Sequence, residues 1–313
     1  METVNFNANS GLMEAIQYFS DPMVCLEAVS KVKWPNGPEC PRCESKRLSF
    51  IKTRLTWTCL ECRKQFSVKV GTIFEDSPVS LSKWLTAMWM MGNCKNGVSS
   101  YEIGRALRVT QKTAWFMNQR IRHAMHTGSI NKMSGTIEAD ETFIGGAARN
   151  MHRSKREAKI HGRGPLGKQI VFGLLERNTG RVHLEHVETR RKGDLTPVVR
   201  KHVRRGSEVM TDELLSYDGL DSEYAHKVIN HAAKYVDGTV HTNRMENFWS
   251  LLKRAIGGTY VSVEPFHLFR YLDEQSFRYN ERKLTDFERF QLVLAAVAGK
   301  RLTWNHLTSQ EVG

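Results

Sequence analysis

Four cysteines in two pairs constrain the fold of this chain more than any other feature of its sequence. Each pair has the form Cys-x-x-Cys, Cys40 with Cys43 and Cys59 with Cys62, and 15 residues separate Cys43 from Cys59. Two intervening residues let a tight turn aim both thiolates at one ion, so two such turns can complete a tetrahedral site. We therefore expect a structural Zn²⁺ in a ribbon over residues 36–78. The alternative, disulfides or a redox pair, is disfavoured by this spacing in a cytosolic chain.

The charge of the chain points to a polyanionic partner. Its 313 residues include 46 lysines and arginines against 33 aspartates and glutamates, a net charge of +13. Lysines and arginines at phosphates release condensed counterions, although charge alone does not distinguish DNA from RNA or a membrane surface. The chain lacks an apolar run of the ~20 residues that cross a bilayer, and its first residues do not resemble a signal peptide. We expect a cytoplasmic, nucleoid-associated protein with no membrane partner.

A helical lead-in, residues 1–35, precedes the cysteines, and a helical segment, residues 79–130, follows the ribbon. The pattern in this second segment predicts helices over 81–91, 100–107 and 111–124. Thr110 is a good N-cap after a tight turn, which gives the last two helices the spacing of a helix-turn-helix. That interpretation exposes these side chains to a DNA groove: Gln111, Lys112, Gln119 and Arg120. The alternative is a plain three-helix packing module.

From residue 131 onward the hydrophobic period becomes that of strands. The pattern predicts strands over 136–144, 169–175, 181–187, 208–211 and 226–229, and helices over 194–205, 242–256, 265–282 and 286–298. Residues 177–180 have the composition of a hairpin turn. Three leading strands, a helix, a strand and then further helices match the order of a ribonuclease H-like α/β domain. We expect this catalytic domain over residues 131–300, with a basic loop over 146–168.

Three acids lie where this order of elements can bring them together. Asp140 and Asp212 lie near the ends of two predicted strands, and Glu246 lies in the first turn of a later helix. Converging carboxylates repel one another, and Mg²⁺ or Mn²⁺ relieves that repulsion. Two such ions could activate a water or a 3′-hydroxyl and stabilise the leaving oxygen of a phosphodiester.

Competing interpretations exist for these positions. Glu138 shares the face of Asp140 by strand alternation and could be the ligand or support it. Asn243 and Glu246 have the spacing of a capping box, in which Glu246 would only satisfy a backbone N–H. Lys253 follows Glu246 by two helical turns, so it could hold a DNA phosphate or belong to a solvated helix face.

The most specific segments of the chain, besides the two cysteine motifs, are EADETFIGG (138–146), GLLERNTGRV (173–182), MTDELLSYDGL (210–220), HTNRMENFWSLLKRAIGGTYVSV (241–263) and HLFRYLDEQSFRYNER (267–282). On these segments the chain resembles bacterial insertion-sequence transposases of the DDE type that carry an N-terminal zinc ribbon and an ISXO2-like catalytic domain. The resemblance covers about residues 20–285. It implies a ribonuclease H-like core, metal-dependent DNA cleavage and strand transfer, and binding to the terminal inverted repeats of the element.

The resemblance also assigns roles to particular residues. It implies that Asp140, Asp212 and Glu246 bind two Mg²⁺ or Mn²⁺ ions and that Lys253 acts with them; because the third acid varies in this family, Asn243 is the alternative to Glu246. The double-stranded DNA partners would be the terminal repeats and the target, bound by a homodimer or a higher oligomer. The predicted DNA contacts are Gln111, Lys112, Arg120, Arg153, Lys155, Arg156, Lys159, Arg163, Lys168 and Arg254. The basic loop among them could instead be a solvated segment.

Two other functions fit the same sequence features. One is a DNA-binding regulator with a zinc ribbon and an inactive catalytic scaffold, although three acids at metal-binding positions argue against it. The other is a nuclease that cleaves without joining, because hydrolysis and strand transfer use the same acids.

Overall fold

The computed structural model describes residues 6–126, 131–146, 152–159, 167–212, 217, 219–229 and 242–308, without the side chains of Lys155, Ala158, Lys159 and Ile229. Two compact units divide the chain: residues 1–126 with 281–313, and residues 127–280. The described part of the chain has no helix that is long and apolar enough to span a membrane.

The first unit is built from helices around an aromatic core. Its helices are α1 (Leu12–Tyr18), α2 (Pro22–Lys33), α3 (Leu81–Asn93), α4 (Ser100–Leu107), α5 (Gln111–Met125), α10 (Asp286–Ala295) and α11 (Trp304–Thr308). Phe290 of α10 is buried against Trp89 of α3, with ring centroids 5.5 Å apart. This contact explains why the segment from Glu281 onward belongs to the first unit, whereas the sequence pattern extended the catalytic domain to residue 300.

A small antiparallel sheet in the same unit carries the second cysteine pair. Its strands are β1 (Leu48–Ile51), β2 (Thr56–Cys59) and β3 (Gln65–Ser67), in the order β1-β2-β3. Trp57 and Phe66 are buried, and Trp34 at the end of α2 packs edge-on against Trp57 at 5.1 Å. The apolar body of the ribbon is therefore small.

The second unit is a mixed α/β structure. Its elements are β4 (Thr136–Ile144), α6 (Arg153–Lys159), β5 (Gln169–Glu176), β6 (Arg181–Val187), α7 (Lys192–His202), β7 (Glu208–Asp212), β8 (Ala225–Ile229), α8 (Asn243–Arg254) and α9 (Leu268–Asn280). The five strands follow the order β6-β5-β4-β7-β8. β4, β5 and β6 are antiparallel neighbours, whereas β7 runs parallel to β4 and β8 parallel to β7.

Apolar side chains cover both faces of this sheet. One core contains Ala139, Phe172 and Leu174 with the buried face of α7. The other contains Val171 and Leu175 with side chains of α8 and α9. Alternation along β4 and β5 sends neighbouring residues to opposite faces, so each side chain of the candidate site has a defined side of the sheet.

Some element boundaries differ from those that the pattern predicted. Helix α8 ends at Arg254 and continues as a π-helical turn, Ala255–Tyr260, and a 3₁₀ turn, Pro265–His267, precedes α9. The predicted basic loop contains the short helix α6, in which Arg153 and Glu157 form an ion pair one turn apart. Such i, i+4 pairs favour a helix among long charged side chains.

Candidate active site and zinc ribbon

The four cysteine sulfurs converge on one point in the ribbon. The Sγ atoms of Cys40 and Cys62 are 3.7 Å apart, those of Cys43 and Cys59 are 3.5 Å apart, and all four lie within 4.8 Å of one another. Zinc at ~2.3 Å from each thiolate places the sulfurs of a tetrahedron about 3.8 Å apart. Hydrogen bonds from the backbone N–H groups of Cys62 and Glu61 lower the pKa of Cys59 to about 7, although burial acts in the opposite direction. The lowered pKa favours the thiolate form that binds zinc. These residues fit a structural zinc ion.

The register of the parallel strands brings the first two acids together. The last pair in the ladder of β4 and β7 is Glu138 with Met210, and Asp140 and Asp212 each lie two residues beyond it. Asp212 is therefore the last residue of β7, and Asp140 lies level with it in the middle of the adjacent strand β4. Both are half-buried.

Asp140 is held on the face of the sheet that α8 covers. Its carboxylate accepts hydrogen bonds from the indole Nε1 of Trp249 at 2.8 Å and from the N–H of Glu141 at 2.9 Å. Burial, with smaller contributions from the charges of Asp212 and Glu246, raises the pKa of Asp140 to about 6 against the hydrogen bonds from Trp249 and Glu141. Asp140 is thus close enough to Asp212 and to Glu246 to feel the charge of each, although the three carboxylates do not all lie within 4.8 Å of one another.

Glu138 does not offer a free carboxylate on that face. Its side chain is fully buried, Oε1 is 2.6 Å from the Nε of Arg177, and Oε2 accepts the N–H of Met245 at 2.9 Å. The N–H of Met245 belongs to the first turn of α8, where helices leave backbone donors without partners. Glu138 therefore supports the site by fixing the start of the helix that carries Glu246.

The capping-box interpretation of Glu246 is not realised. Helix α8 has Thr242 as its N-cap, without a side-chain cap bond, so Asn243 is its first residue. Glu246 is half-buried, and Asn243 is exposed one turn before it. Within the described part of the chain, the Glu246 carboxylate has no hydrogen bond or ion pair of its own, so it is available to bind an ion.

Gly173 allows α8 to approach the sheet beside Asp140, its partner in the antiparallel ladder. A Cβ atom built on Gly173 would lie 2.0 Å from Cε of Met245 and 2.6 Å from the ring of Trp249. Such distances are far below van der Waals contact. The absent side chain makes room for the two residues that bond Glu138 and Asp140.

Glu141 is a buried acid that the sequence pattern gave no reason to select. It lies on the face opposite Asp140, where the hydroxyl of Tyr217 donates to it at 2.7 Å and Arg190 lies 3.7 Å away. Burial raises the pKa of Glu141 to about 7, and the charges of Asp212 and Asp140 act in the same direction. Trp249 was also missed, because an aromatic residue on an amphipathic helix indicates core packing.

The predicted DNA-contacting residues divide into accessible and buried ones. The exposed ones are Gln111, Lys112, Arg153, Arg156, Lys253 and Arg254, and Lys168 is half-buried. Arg120 is only 4% exposed and donates to the carbonyls of Ile73 and Glu75, and Gln119 is fully buried. The predicted exposure of these two is wrong, because they lie on the face of α5 that packs into the first unit. The side chains of Lys155 and Lys159, and all of Arg163, lie outside the described residues.

The turn between α4 and α5 is tight. Arg108 adopts a left-handed conformation at the end of α4, and Thr110 caps α5 by accepting the N–H of Thr113 at 3.1 Å. A Cβ on Gly104 would lie 3.2 Å from the carbonyl oxygen of Val109, so the glycine permits the close approach of the two helices.

Comparison with known proteins gives matches to both units. Residues 21–65 match the family model of a transposase zinc-ribbon domain, and residues 132–280 match that of an ISXO2-like transposase domain. A protein described as an uncharacterized protein in transposable element ISH50 of Halobacterium salinarum is 26% identical over 254 residues, which cover 77% of this chain and 85% of that protein. An uncharacterized transposase-like protein of Haemophilus influenzae is 34% identical over 91 residues, which cover 29% of this chain and 73% of that protein.

The second family match ends where the α/β unit ends, at residue 280. The chain belongs to the insertion-sequence transposases that combine a zinc ribbon with an ISXO2-like DDE domain. The resemblance inferred from its motifs is thereby confirmed.

Proposed function

We propose that this protein cleaves DNA at the terminal inverted repeats of its element and joins the freed ends to target DNA. The observation that carries the proposal is the arrangement of Asp140 in the middle of β4, Asp212 at the end of the adjacent strand β7, and Glu246 in the first turn of α8, with both other acids acting on the charge of Asp140. A regulator that only binds DNA has no use for two acids that repel Asp140, because this repulsion destabilises the protein when no cation is bound.

The order of the strands supports a ribonuclease H-like assignment for the α/β unit. Three antiparallel strands follow one another along the chain, and two further strands extend the sheet in parallel beside β4. In this topology the first strand lies in the middle of the sheet, so an acid on it meets an acid from the next parallel strand. Asp140 and Asp212 occupy those two positions.

Asp140, Asp212 and Glu246 are the residues that would hold Mg²⁺ or Mn²⁺, because hard carboxylate oxygens suit these ions. When bound, two such ions supply Lewis acidity to the attacking and leaving oxygens of a phosphodiester. The chain contributes the positions of the ligands. Trp249 orients Asp140 through its indole N–H, and Glu138 fixes the first turn of α8.

Exposed basic residues could bind the phosphates of the substrate. Lys253 and Arg254 follow Glu246 along α8, and Arg153 and Arg156 lie on α6. Side chains of this kind position DNA without reading its sequence. The ribbon and the α4–α5 pair, with Gln111 and Lys112 exposed, would recognise the terminal repeats as a helix-turn-helix does. Joining two ends would require at least two copies of the chain on DNA.

Cleavage and joining of a labelled terminal-repeat DNA by the full chain tests this proposal. We expect the wild-type protein to nick and join the DNA with Mg²⁺ or Mn²⁺. Asp140→Asn, Asp212→Asn and Glu246→Gln should bind the DNA with unchanged affinity yet lose both reactions by about 10³-fold or more, as expected when catalysis depends on bound ions. Glu188→Gln is the matched control, since Glu188 is an exposed acid of the same unit.

The other outcomes separate the competing functions. A wild-type protein that binds the repeats but never cuts them with either ion would be a regulator. One that cuts but never joins would be a nuclease. If only Glu246→Gln stays active, Asn243 becomes the candidate for the third ligand.

A further inference from the structure

We infer that His183, Glu185 and His202 form a second metal site, for a transition-metal dication such as Zn²⁺, in the α/β unit. His183 and Glu185 are two residues apart in β6, so their side chains lie on the same face of the sheet. His202 is the last residue of α7, which packs on that face. The Nε2 atoms of His183 and His202 lie 3.6 Å and 3.4 Å from Oε2 of Glu185. The three donor atoms all lie within 4.8 Å of one another.

The three donor atoms are buried without a hydrogen-bond partner. Nε2 of His183, Nε2 of His202 and Oε2 of Glu185 each lack such a partner within the described part of the chain. A buried polar atom left unpaired destabilises the folded protein, because it has lost its hydrogen bonds to water. These three atoms face one another, which indicates a binding site for a ligand that could pair all of them. The site is shielded from solvent, since His202 is only 5% exposed.

A metal ion satisfies this cluster better than protons do. One proton placed between an imidazole and the carboxylate pairs two of the three atoms and leaves the other imidazole unpaired. Two neutral rings with their protons on Nε2 could pair all three atoms, but with the Nε2 atoms 3.6 Å and 3.4 Å from Oε2 neither pair forms a hydrogen bond. One dication can accept all three lone pairs.

The donor set and its spacing suit zinc. Imidazole nitrogens and one carboxylate are common zinc ligands at ~2.0–2.1 Å, and a tetrahedral arrangement at that distance separates the ligand atoms by about 3.3 Å. The measured 3.4 Å and 3.6 Å are close to this value. The two rings would turn out of their stack on binding, because their lone pairs must point at one ion. The carbonyl end of α7 also favours a cation there.

Neighbouring charges do not fill the site. Lys201 lies 3.6 Å from Oε1 of Glu185, the oxygen that the histidines do not face, and its side chain is largely exposed. Lys201 therefore interacts with the charge of the Glu185 carboxylate from the solvent side and leaves Oε2 free to face the histidines. An ion held by His183, Glu185 and His202 would fasten the end of α7 to β6, the edge strand of the sheet, and leave one coordination position open to water.

This site is separate from the others. The cysteines lie in the first unit, and Asp140 faces α8 on the opposite side of the sheet from α7. The inference therefore does not depend on the proposed DNA chemistry, and each can fail alone.

Zinc content per chain tests the inference. Full-length protein carrying Asp140→Asn and Asp212→Asn, so that the carboxylates do not add to the count, would be equilibrated with Zn²⁺ and dialysed. Elemental analysis should then find one zinc more per chain than in the same protein with Glu185→Gln or His202→Ala. His186→Ala is the matched control, because His186 is the next histidine of β6 and is exposed; it should keep the full zinc content.

Replacing the added zinc with Co²⁺ distinguishes ligand loss from misfolding. We expect a visible cobalt spectrum of nitrogen and oxygen ligation that Glu185→Gln abolishes, while the ribbon keeps its zinc and the circular dichroism is unchanged. Zn²⁺ should also raise the melting temperature of the parent protein and leave that of Glu185→Gln unaltered. Equal zinc content in the parent and both variants, with no shift in melting temperature, would overturn the inference.

Discussion

The ribbon and the carboxylate site gather their ligands in different ways. The four cysteines lie within residues 40–62, and two tight turns are enough to aim them at one ion. The three acids span residues 140–246, and their relative positions depend on the register of β4 with β7 and on the packing of α8. One site is therefore encoded by local spacing and the other by tertiary structure.

This difference predicts opposite responses to loss of the metal. The ribbon has a small apolar body around Trp57 and Phe66, so its thiolates and their ion supply much of its stability. The carboxylates lie on a sheet whose two faces are packed independently of any ion. Without metal we expect the ribbon to lose its structure and the α/β unit to keep its own.

The largest effect should come from Cys59→Ser, which removes a ligand of the ribbon. Zinc binding contributes on the order of 10 kcal/mol to the folding of small zinc domains. We expect loss of the ribbon zinc and rapid hydrogen exchange over residues 48–67, with exchange in 136–187 unchanged. Exposed Cys94, replaced by serine, is the control. Slow hydrogen exchange in the ribbon of a zinc-free variant would contradict the expected metal dependence of the ribbon, because its strands would then fold without the ion.

A smaller effect should follow from Gly173→Ala, which tests the tertiary origin of the carboxylate site. The new Cβ would overlap Met245 and Trp249, and overpacking of this kind costs about 1–3 kcal/mol. We expect a lower unfolding free energy in denaturant together with a loss of DNA cleavage, since Trp249 would no longer orient Asp140. Gly193→Ala, where an added Cβ meets nothing within 4 Å in helix α7, should leave cleavage unchanged and should not lower the unfolding free energy. Full activity in Gly173→Ala would mean that the position of α8 does not control the site.

The smallest effect concerns the pH dependence of the metal-free protein. Because the pKa of Asp140 is raised from 3.8 to about 6, the folded state binds more protons than the unfolded state between these values, and stability falls as pH rises through that window. At pH 7.5 Asp140→Asn should therefore be more stable than wild type, by about 1–3 kcal/mol. At pH 4 the difference should nearly vanish.

Denaturant unfolding with a chelator that removes Mg²⁺ and Mn²⁺ measures this difference, with Glu188→Gln as an exposed control. Addition of Mg²⁺ should then stabilise the wild type and not Asp140→Asn. A variant that is less stable than wild type at pH 7.5 would show that the acids do not oppose folding.

The sequence predicted most helices and strands of both units, but it predicted less well which side chains of these elements contact one another. The strands over 136–144 and 181–187 and the helix over 100–107 have the predicted bounds, because strong periodicity and clear turn residues define them. The burial of Arg120 was not predictable, since an arginine on a polar helix face gives no sign that its guanidinium reaches the carbonyls of another segment.

The candidate site shows the same limit. Asp140 and Asp212 stand out because they lie in or at the end of predicted strands, and the alternation of β4 correctly separates Asp140 from Glu141. The roles of Glu138 and Trp249 depend on which helix covers that face of the sheet, and sequence separations of 107 and 109 residues carry no such signal. The catalytic assignment itself stays a prediction.

Glu138 connects the hairpin turn at residues 177–180 to α8, because its carboxylate forms an ion pair with Arg177 and accepts the N–H of Met245. The carbonyl oxygen of Arg177 also accepts a hydrogen bond from the guanidinium of Arg244, and the backbone N–H of Arg177 donates to the carbonyl oxygen of Thr136. The first turn of α8 is thus bonded to a hairpin that precedes it by about 65 residues in the sequence. One residue added to the four-residue turn would therefore move the groups that hold the start of α8, and Glu246 with them.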